Sequence, residues 1–390
     1  MKNYKNYKTS FVSIVFFITI SFTNSFALDR NHINELTVKY SSLDSNKEGE
    51  QNTVSLEFET YHRYNVNDYL NLTGELGFYK YPALYEPLTD KHSESQNIIS
   101  LNELLMNVNI NNSLTLSVGQ MPAHDGAFSS IKTNNFEKSD LLFTVVDNAG
   151  QGVFLTYNKD IENSILEKVR IRYGQAEAKY YPLDNDEKFS IRLKGTSGRY
   201  VDAYLKFDKI EFLYNYMNLD IKADDNYYLS SEVNSYGIKY DDISESGLLL
   251  YGIYSESKTN GIDSTSIIHP VYKILVTVPV DLDGKGSHNL LGVNYHFDIA
   301  NYDSFVGFEK YCSTRKNMVF NNGNPNSEYG LGLLGNSKTT YIGTNLNTRL
   351  NLSIEYKHTT YDYARSMIGT TPYIEPRVDV DLMFIMKYLF

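Results

Sequence analysis

Residues 377–390 read RVDVDLMFIMKYLF. In an extended chain Val378, Val380, Leu382, Phe384, Met386, Tyr388 and Phe390 fall on one face. Arg377, Asp379, Asp381, Met383, Ile385, Lys387 and Leu389 fall on the other. A period of two sustained over this length marks a β-strand with one apolar side. Working back along the chain, 350–358 repeats the pattern: Leu350, Leu352, Ile354 and Tyr356 oppose Asn351, Ser353, Glu355 and Lys357. In 53–63, Val54, Leu56 and Phe58 oppose Ser55, Glu57 and Glu59 in the same way.

Read throughout, the alternation predicts strands at 34–43, 53–64, 69–81, 99–110, 114–122, 151–158, 165–175 and 199–207. It continues at 210–220, 231–240, 248–259, 288–298, 304–314, 338–347, 350–363 and 377–390. The connectors alternate in length. Short ones lie at 65–68, 111–113, 159–164, 208–209, 241–247, 299–303 and 348–349. Long ones lie near 44–52, 82–98, 123–150, 176–198, 221–230, 260–287, 315–337 and 364–376. One rim is therefore tight and the other elaborate, and an even strand count puts both termini on the tight rim. The expected fold is an all-β transmembrane antiparallel barrel of about 16 strands, with short periplasmic turns and long outer loops. Two further apolar stretches, 188–194 and 271–280, are either loop hairpins or extra strands, which widens the range to 14–18. Ten residues at ~3.3 Å rise and ~45° tilt cover roughly 25 Å, the height of a barrel's apolar band. A secreted β-sandwich, solenoid or lectin also alternates, but its apolar faces must be covered by a second layer or a repeat, and the chain shows no fixed-period repeat.

The 390 residues carry 36 Lys+Arg against 47 Asp+Glu, a formal charge of −11, with one Cys and no Trp. A lone cysteine excludes an intrachain disulfide framework or thiolate zinc cluster. The acidic balance argues against a nucleic-acid partner. A mean hydropathy of −0.38 and the want of a long apolar run after residue 27 argue against a helical membrane bundle. Tyr, at 34 residues, is the unusual feature. Without Trp, the amphipathic aromatic role at a membrane interface falls to Tyr.

Residues 1–27 read as an export signal, leaving 28–390 as the barrel. Lys2, Lys5 and Lys8 precede an apolar run from Phe11 to Phe22, and Ser25-Phe26-Ala27 offers small residues for cleavage before Leu28. The run is too short to span a bilayer as a helix. At the other end Phe384, Met386, Tyr388 and terminal Phe390 alternate, which suits a last strand that must close the barrel and remove its edge.

Several stretches resemble bacterial outer-membrane porins. GQMPAHDGAFSS (119–130), after the strand LTLSVG, resembles the entry into a porin's long third loop, and VVDNAGQGVFLTYN (145–158) resembles the return. FVGFEKYCS (305–313), NTRLNLSIEYKHTTYDYARSMIGTTP (347–372) and the terminal strand resemble an uncharacterised family of porin-like barrels, with Lys310 and Cys312 as local departures. That family often carries a helical segment before the barrel, which this chain lacks. The resemblance implies a barrel in the Gram-negative outer membrane and a channel. It implies insertion by the barrel-assembly machinery through the strand ending at Phe390, contact with outer-membrane lipid and lipopolysaccharide, and a homotrimer. It implies no substrate.

If apolar faces meet lipid, the opposite faces line the lumen. Lys168, Arg170 and Arg172 then point inward, as do Arg192 and Lys194, making a cationic ladder. Loop 123–150 carries Asp125, Glu137, Asp140 and Asp147. Folded inward, it would set acids across from the ladder and create a transverse field at a constriction. The other reading places these cations above the membrane, on lipopolysaccharide or loop acids. Lumen charge elsewhere is mixed: Glu57, Glu75, Asp202, Glu211, Glu309 and Glu355 oppose Arg63, Lys206, Lys239, Lys357 and Arg377. Selectivity is therefore expected to be weak, with a slight cation bias.

Enzyme signatures such as G-x-S-x-G, H-E-x-x-H, the P-loop and C-x-x-C are absent. No catalytic residue, cofactor or metal site is expected. DLDGKG (281–286) matches only part of a calcium loop. The expected function is passive diffusion of small hydrophilic solutes and ions. The alternatives are a solute-specific channel, or a surface adhesin or structural barrel with a plugged lumen.

Overall fold

A computed structural model of the chain describes residues 32–46, 49–81, 85–86, 91–92, 96–120, 151–176, 197–224, 227–268, 275–281, 284–313, 335–366 and 369–390. Sixteen strands form its wall. In chain order they are β1 (His32–Ser45), β2 (Gly49–Asn67), β3 (Leu70–Tyr81), β4 (Gln96–Asn109), β5 (Leu114–Gln120) and β6 (Gln151–Asp160). Then come β7 (Leu166–Ala176), β8 (Ser197–Phe207), β9 (Ile210–Asp224), β10 (Tyr227–Asp242) and β11 (Leu248–Ile268). The last are β12 (Gly284–Ile299), β13 (Tyr302–Ser313), β14 (Gly335–Asn347), β15 (Leu350–Ser366) and β16 (Gly369–Leu389). Each pairs antiparallel with its chain neighbour. β16 returns to β1 through the register Leu36↔Tyr388, Val38↔Met386, Tyr40↔Phe384, so the sheet closes. Each expected strand matches one observed strand. Closure leaves no edge with unpaired backbone groups.

The tight rim is built from turn chemistry visible in the sequence. Asn67 Oδ1 accepts from the backbone N–H groups of Tyr69 and Leu70, at 2.9 Å each. Asn111 does the same for Ser113 and Leu114, and Asn347 for Arg349 and Leu350. These are Asx turns, in which the side chain stands in for a backbone acceptor. The two-residue turn between β12 and β13 holds Ala300 at φ 53° and Asn301 at φ 70°, the left-handed pair of a type I′ hairpin. A one-turn helix, α1 (Ile243–Ser246), fills the β10–β11 connection and ends on Gly247 at φ 76°. Beside it Lys209, in the β8–β9 turn, contacts Asp242 and Glu245 at 2.6 Å each. Hydrogen bonds to Asp242 and then Glu245 hold its ammonium well above the ordinary lysine range.

The closing seam is latched at the same rim. Asn34 N donates to Phe390 O at 3.0 Å, and Phe390 N donates back to Asn34 O at 2.9 Å. On the outer face nearby, Val38, Leu350, Met386 and Tyr388 form a buried apolar cluster flanked by Leu36, Leu56 and Phe390. The apolar half of the terminal strand thus packs across the join.

The two faces of the wall differ as the alternation requires. Phe78, Leu155, Phe212, Ile238, Val293, Phe308, Ile354 and Phe384 point outward and are exposed. Glu75, Asp202, Asn215, Ser235, Asn294, Glu309, Thr339 and Glu355 point inward and are buried. Among the described residues the closed single sheet has no second layer over that outer belt, and closure itself excludes the sandwich alternative. A belt of this extent on a soluble surface would be an aggregation site.

Of the two extra apolar stretches, 271–280 yields a strand, Leu275–Asp281. It pairs with the half of β11 farthest from the tight rim (Ile262↔Asp281 to Ile268↔Leu275) and adds no wall strand. The stretch 188–194, the export signal 1–27 and loop 123–150 lie outside the described residues.

Candidate pore lining

Of the expected ladder, Lys168, Arg170 and Arg172 all stand on β7, in register with β8: Lys168 opposite Lys206, Arg170 opposite Tyr204, Arg172 opposite Asp202. Ile171 and Tyr173, between and beyond them, are exposed on the outer face, so the three cations face inward. Arg192, Lys194, Asp125, Glu137, Asp140 and Asp147 lie outside the described residues.

The ladder meets acids within the wall itself. Arg172 donates to Asp202 Oδ2 through Nε at 3.0 Å and through a terminal nitrogen at 2.7 Å. Arg170 Nε lies 3.6 Å from Asp202 Oδ1, with its guanidinium 5.8 Å from the centroid of the Tyr204 ring. The side chains are 0% exposed for Asp202, 6% for Arg172 and 17% for Arg170. Pairing continues sideways: Lys239 sits 3.0 Å from Glu211, Lys206 3.0 Å from Glu167, and Lys168 3.5 Å from Asp160. Cations from one strand and carboxylates from the next interleave, so the charged wall spanning β7–β10 is close to locally neutral. Buried charges persist where they are paired and hydrogen-bonded.

The neighbouring wall, β11–β14, uses another device. Tyr251 lies opposite Gly292. Tyr341 lies opposite Gly307, and Phe305 opposite Gly343. A Cβ built on any of these glycines would fall within the ring of its partner. Each ring therefore lies flat across the wall, over the space a side chain would fill. The Tyr251 hydroxyl donates to the Glu309 carboxylate. Leu249, Ile253 and Leu290 share this inward face and are buried. Nearer the tight rim, His296 Nδ1 is 3.1 Å from Asp303 Oδ1, Asn345 donates to Asp303 Oδ2 at 2.7 Å, and Asn351 donates to Asn345 at 2.8 Å.

The remaining arc is lined by short polar groups and ion pairs. Asn107 donates to Asn71 and Thr73 at 3.0 and 3.3 Å and accepts from Ser117 at 2.6 Å. Arg377 is held by Asp379 at 2.9 Å, and Ser41 donates to Asp381 at 2.6 Å.

Sequence reading placed Asp202 among mixed lumen charges and missed it as the acceptor shared by two arginines. It missed the ring-over-glycine pairs altogether. The glycines are visible as inward positions of alternating strands (LLGVNYH, FVGFEKY, YIGTNL), but only the register shows that each faces an aromatic side chain.

No family model matches the chain, and no curated protein does. Solved structures do. The OmpF porin of Salmonella typhi, in complex with daunomycin, is 14% identical. The match covers 94% of this chain and 99% of that one, with a TM-score of 0.54. Pseudomonas putida OprB is 11% identical over 93% and 95% of the two chains, with a TM-score of 0.56. A trimer form of OmpT, an outer membrane protein of Vibrio cholerae, is 10% identical over 92% and 99%, at 0.50. At these identities the likeness concerns the fold. With a closed sixteen-stranded wall, an apolar outer face and an inner face that is polar outside the aromatic arc of β11–β14, the fold of this chain is that of the porin-like outer-membrane β-barrels.

Proposed function

We propose that this barrel spans the outer membrane of a Gram-negative bacterium and passes small hydrophilic solutes and ions by diffusion. One observation carries the reading: a closed sixteen-stranded wall presents apolar side chains outward, and its inner face carries ionised, amide and hydroxyl side chains, interrupted by the aromatic arc of β11–β14. Walls of sixteen strands are wide enough to enclose an aqueous channel. In this reading 1–27 directs export, the tight rim faces the periplasm, and the strand ending at Phe390 guides insertion by the assembly machinery. Loop 123–150 contributes its acids to the constriction. The working form is a homotrimer, and no catalytic chemistry is assigned to the wall.

Arg170 and Arg172 are proposed to line the constriction. Arg170 is the more exposed of the two, so it contributes more to the field seen by a permeating ion. Purified protein in planar bilayers tests both proposals. Ohmic single-channel current is expected, and its reversal potential under a salt gradient should shift toward cations in Arg170→Ala/Arg172→Ala. Absence of current from correctly folded protein would reject the pore, and an unchanged reversal potential would reject the constriction.

A plugged, non-conducting barrel is the second reading. It is favoured by the near-complete burial of inward Glu75, Glu309 and Thr339, which a wide water-filled lumen would leave wetter. The same recording separates the two, because a plugged barrel passes no steady current. A solute-specific channel would show saturable block by one ligand.

A further inference from the structure

On the outer face, where the apolar belt of β13–β15 ends away from the tight rim, three basic side chains stand in a row. Lys310 on β13 is directly opposite Lys338 on β14, and Lys338 is directly opposite His358 on β15. Their strand-mates Phe308, Ile342 and Tyr356 are exposed on the same face, which fixes the outward direction of all three. Together with Asn336, Ser337 and Thr360 they line a groove of about 290 Å³. Leu291 flanks the row on β12 and Val380 flanks it on β16. Among the described residues no carboxylate lies within ion-pair distance of Lys310, Lys338 or His358. The inner face differs, since there lysines and arginines are paired with acids across neighbouring strands.

Like charges directly opposite on adjacent strands repel, and the wall does not offset that repulsion here. Strands are about 4.8 Å apart, so the row spans roughly 10 Å, within reach of one or two phosphates. Asn336 and Thr360 add uncharged donors to the groove. The row also sits where an aromatic pair, Phe308 and Tyr356, closes the apolar belt, as aromatic side chains do at a headgroup boundary. A soluble anion gains nothing from that belt. An amphiphile gains from both parts, with acyl chains along the belt and phosphate on the row.

We propose that Lys310, Lys338 and His358 form a site for the phosphorylated headgroup of an outer-leaflet glycolipid. The proposal rests on the reading of the barrel as an outer-membrane span with its long-loop rim outward. It adds a named site, on the face away from the lumen.

The test is native mass spectrometry of the detergent-solubilised full-length protein. It uses three probes: bis-phosphorylated lipid A, its dephosphorylated form, and inorganic phosphate. Wild type is expected to retain bis-phosphorylated lipid A. Lys310→Gln/Lys338→Gln/His358→Gln should weaken that retention about thirtyfold, at roughly 1 kcal/mol for each of the two lysines near the surface. Lys310→Arg/Lys338→Arg should keep it. Arg349→Gln, which removes a cation in a tight-rim turn, should leave it unchanged. Equal retention of the two lipid forms, or equal retention by wild type and the triple variant, would overturn the site. So would displacement of the lipid by millimolar phosphate, which would make the ligand a soluble anion. Failure of the pore reading appears separately, as wild type that binds lipid yet carries no current.

Discussion

The charged wall of β7–β10 and the aromatic wall of β11–β14 are consecutive arcs of one sheet, yet they solve the inward face differently. In the first, a long cation on one strand reaches a carboxylate on the next, as Arg172 and Arg170 reach Asp202 and Lys239 reaches Glu211. In the second, Tyr251, Tyr341 and Phe305 lie across Gly292, Gly307 and Gly343. The first wall holds its groups by electrostatics, and the second by shape. Consequently the first is sensitive to loss of a charge and the second to gain of a methyl group. The aromatic wall also lies flat, because its largest side chains occupy space that glycine leaves in the neighbouring strand.

Three substitutions test this contrast. The chain has no Trp, so far-UV circular dichroism in urea is the natural readout for barrels refolded in detergent. Asp202→Ala should have the largest effect, about 3 kcal/mol of destabilisation. It leaves two guanidiniums without their shared acceptor in a buried position. The same protein in a bilayer should shift its reversal potential toward anions. If Asp202→Ala matches wild type on both counts, the charged wall is not held by that cluster. Gly307→Val should cost about 2 kcal/mol by driving the Tyr341 ring off the wall. Adding Tyr341→Ala should recover part of the loss, which a generic strand defect would not allow. Ala300→Gly should have the smallest effect, a gain of about 0.5 kcal/mol. It relieves a left-handed Ala at the foot of the aromatic wall, less the entropy that glycine loses. A loss there would show that the turn does not hold the φ of 53°.

The strands and their faces were legible because the side-chain period is two and a barrel has one apolar face throughout. The Asn residues opening the tight turns were equally legible, since Asx chemistry acts within a few residues. Arg170 and Arg172 could be assigned to the inner face from their own strand. Their partner could not, because Asp202 is 30 residues away from Arg172 in sequence and its position depends on the pairing of β7 with β8. The outer row behaves likewise. Lys310, Lys338 and His358 each look like an isolated basic side chain on an apolar strand.

Local sequence pattern was enough for a β-barrel of about sixteen strands with one tight rim, and for the two faces of its regular strands, because alternation and turn chemistry act within a few residues. Tertiary structure alone decided which residues on neighbouring strands meet. Two arginines share Asp202, three rings cover three glycines, and two lysines and a histidine stand in line outside, because strand register, set by closure of the whole sheet, is a property of no single strand.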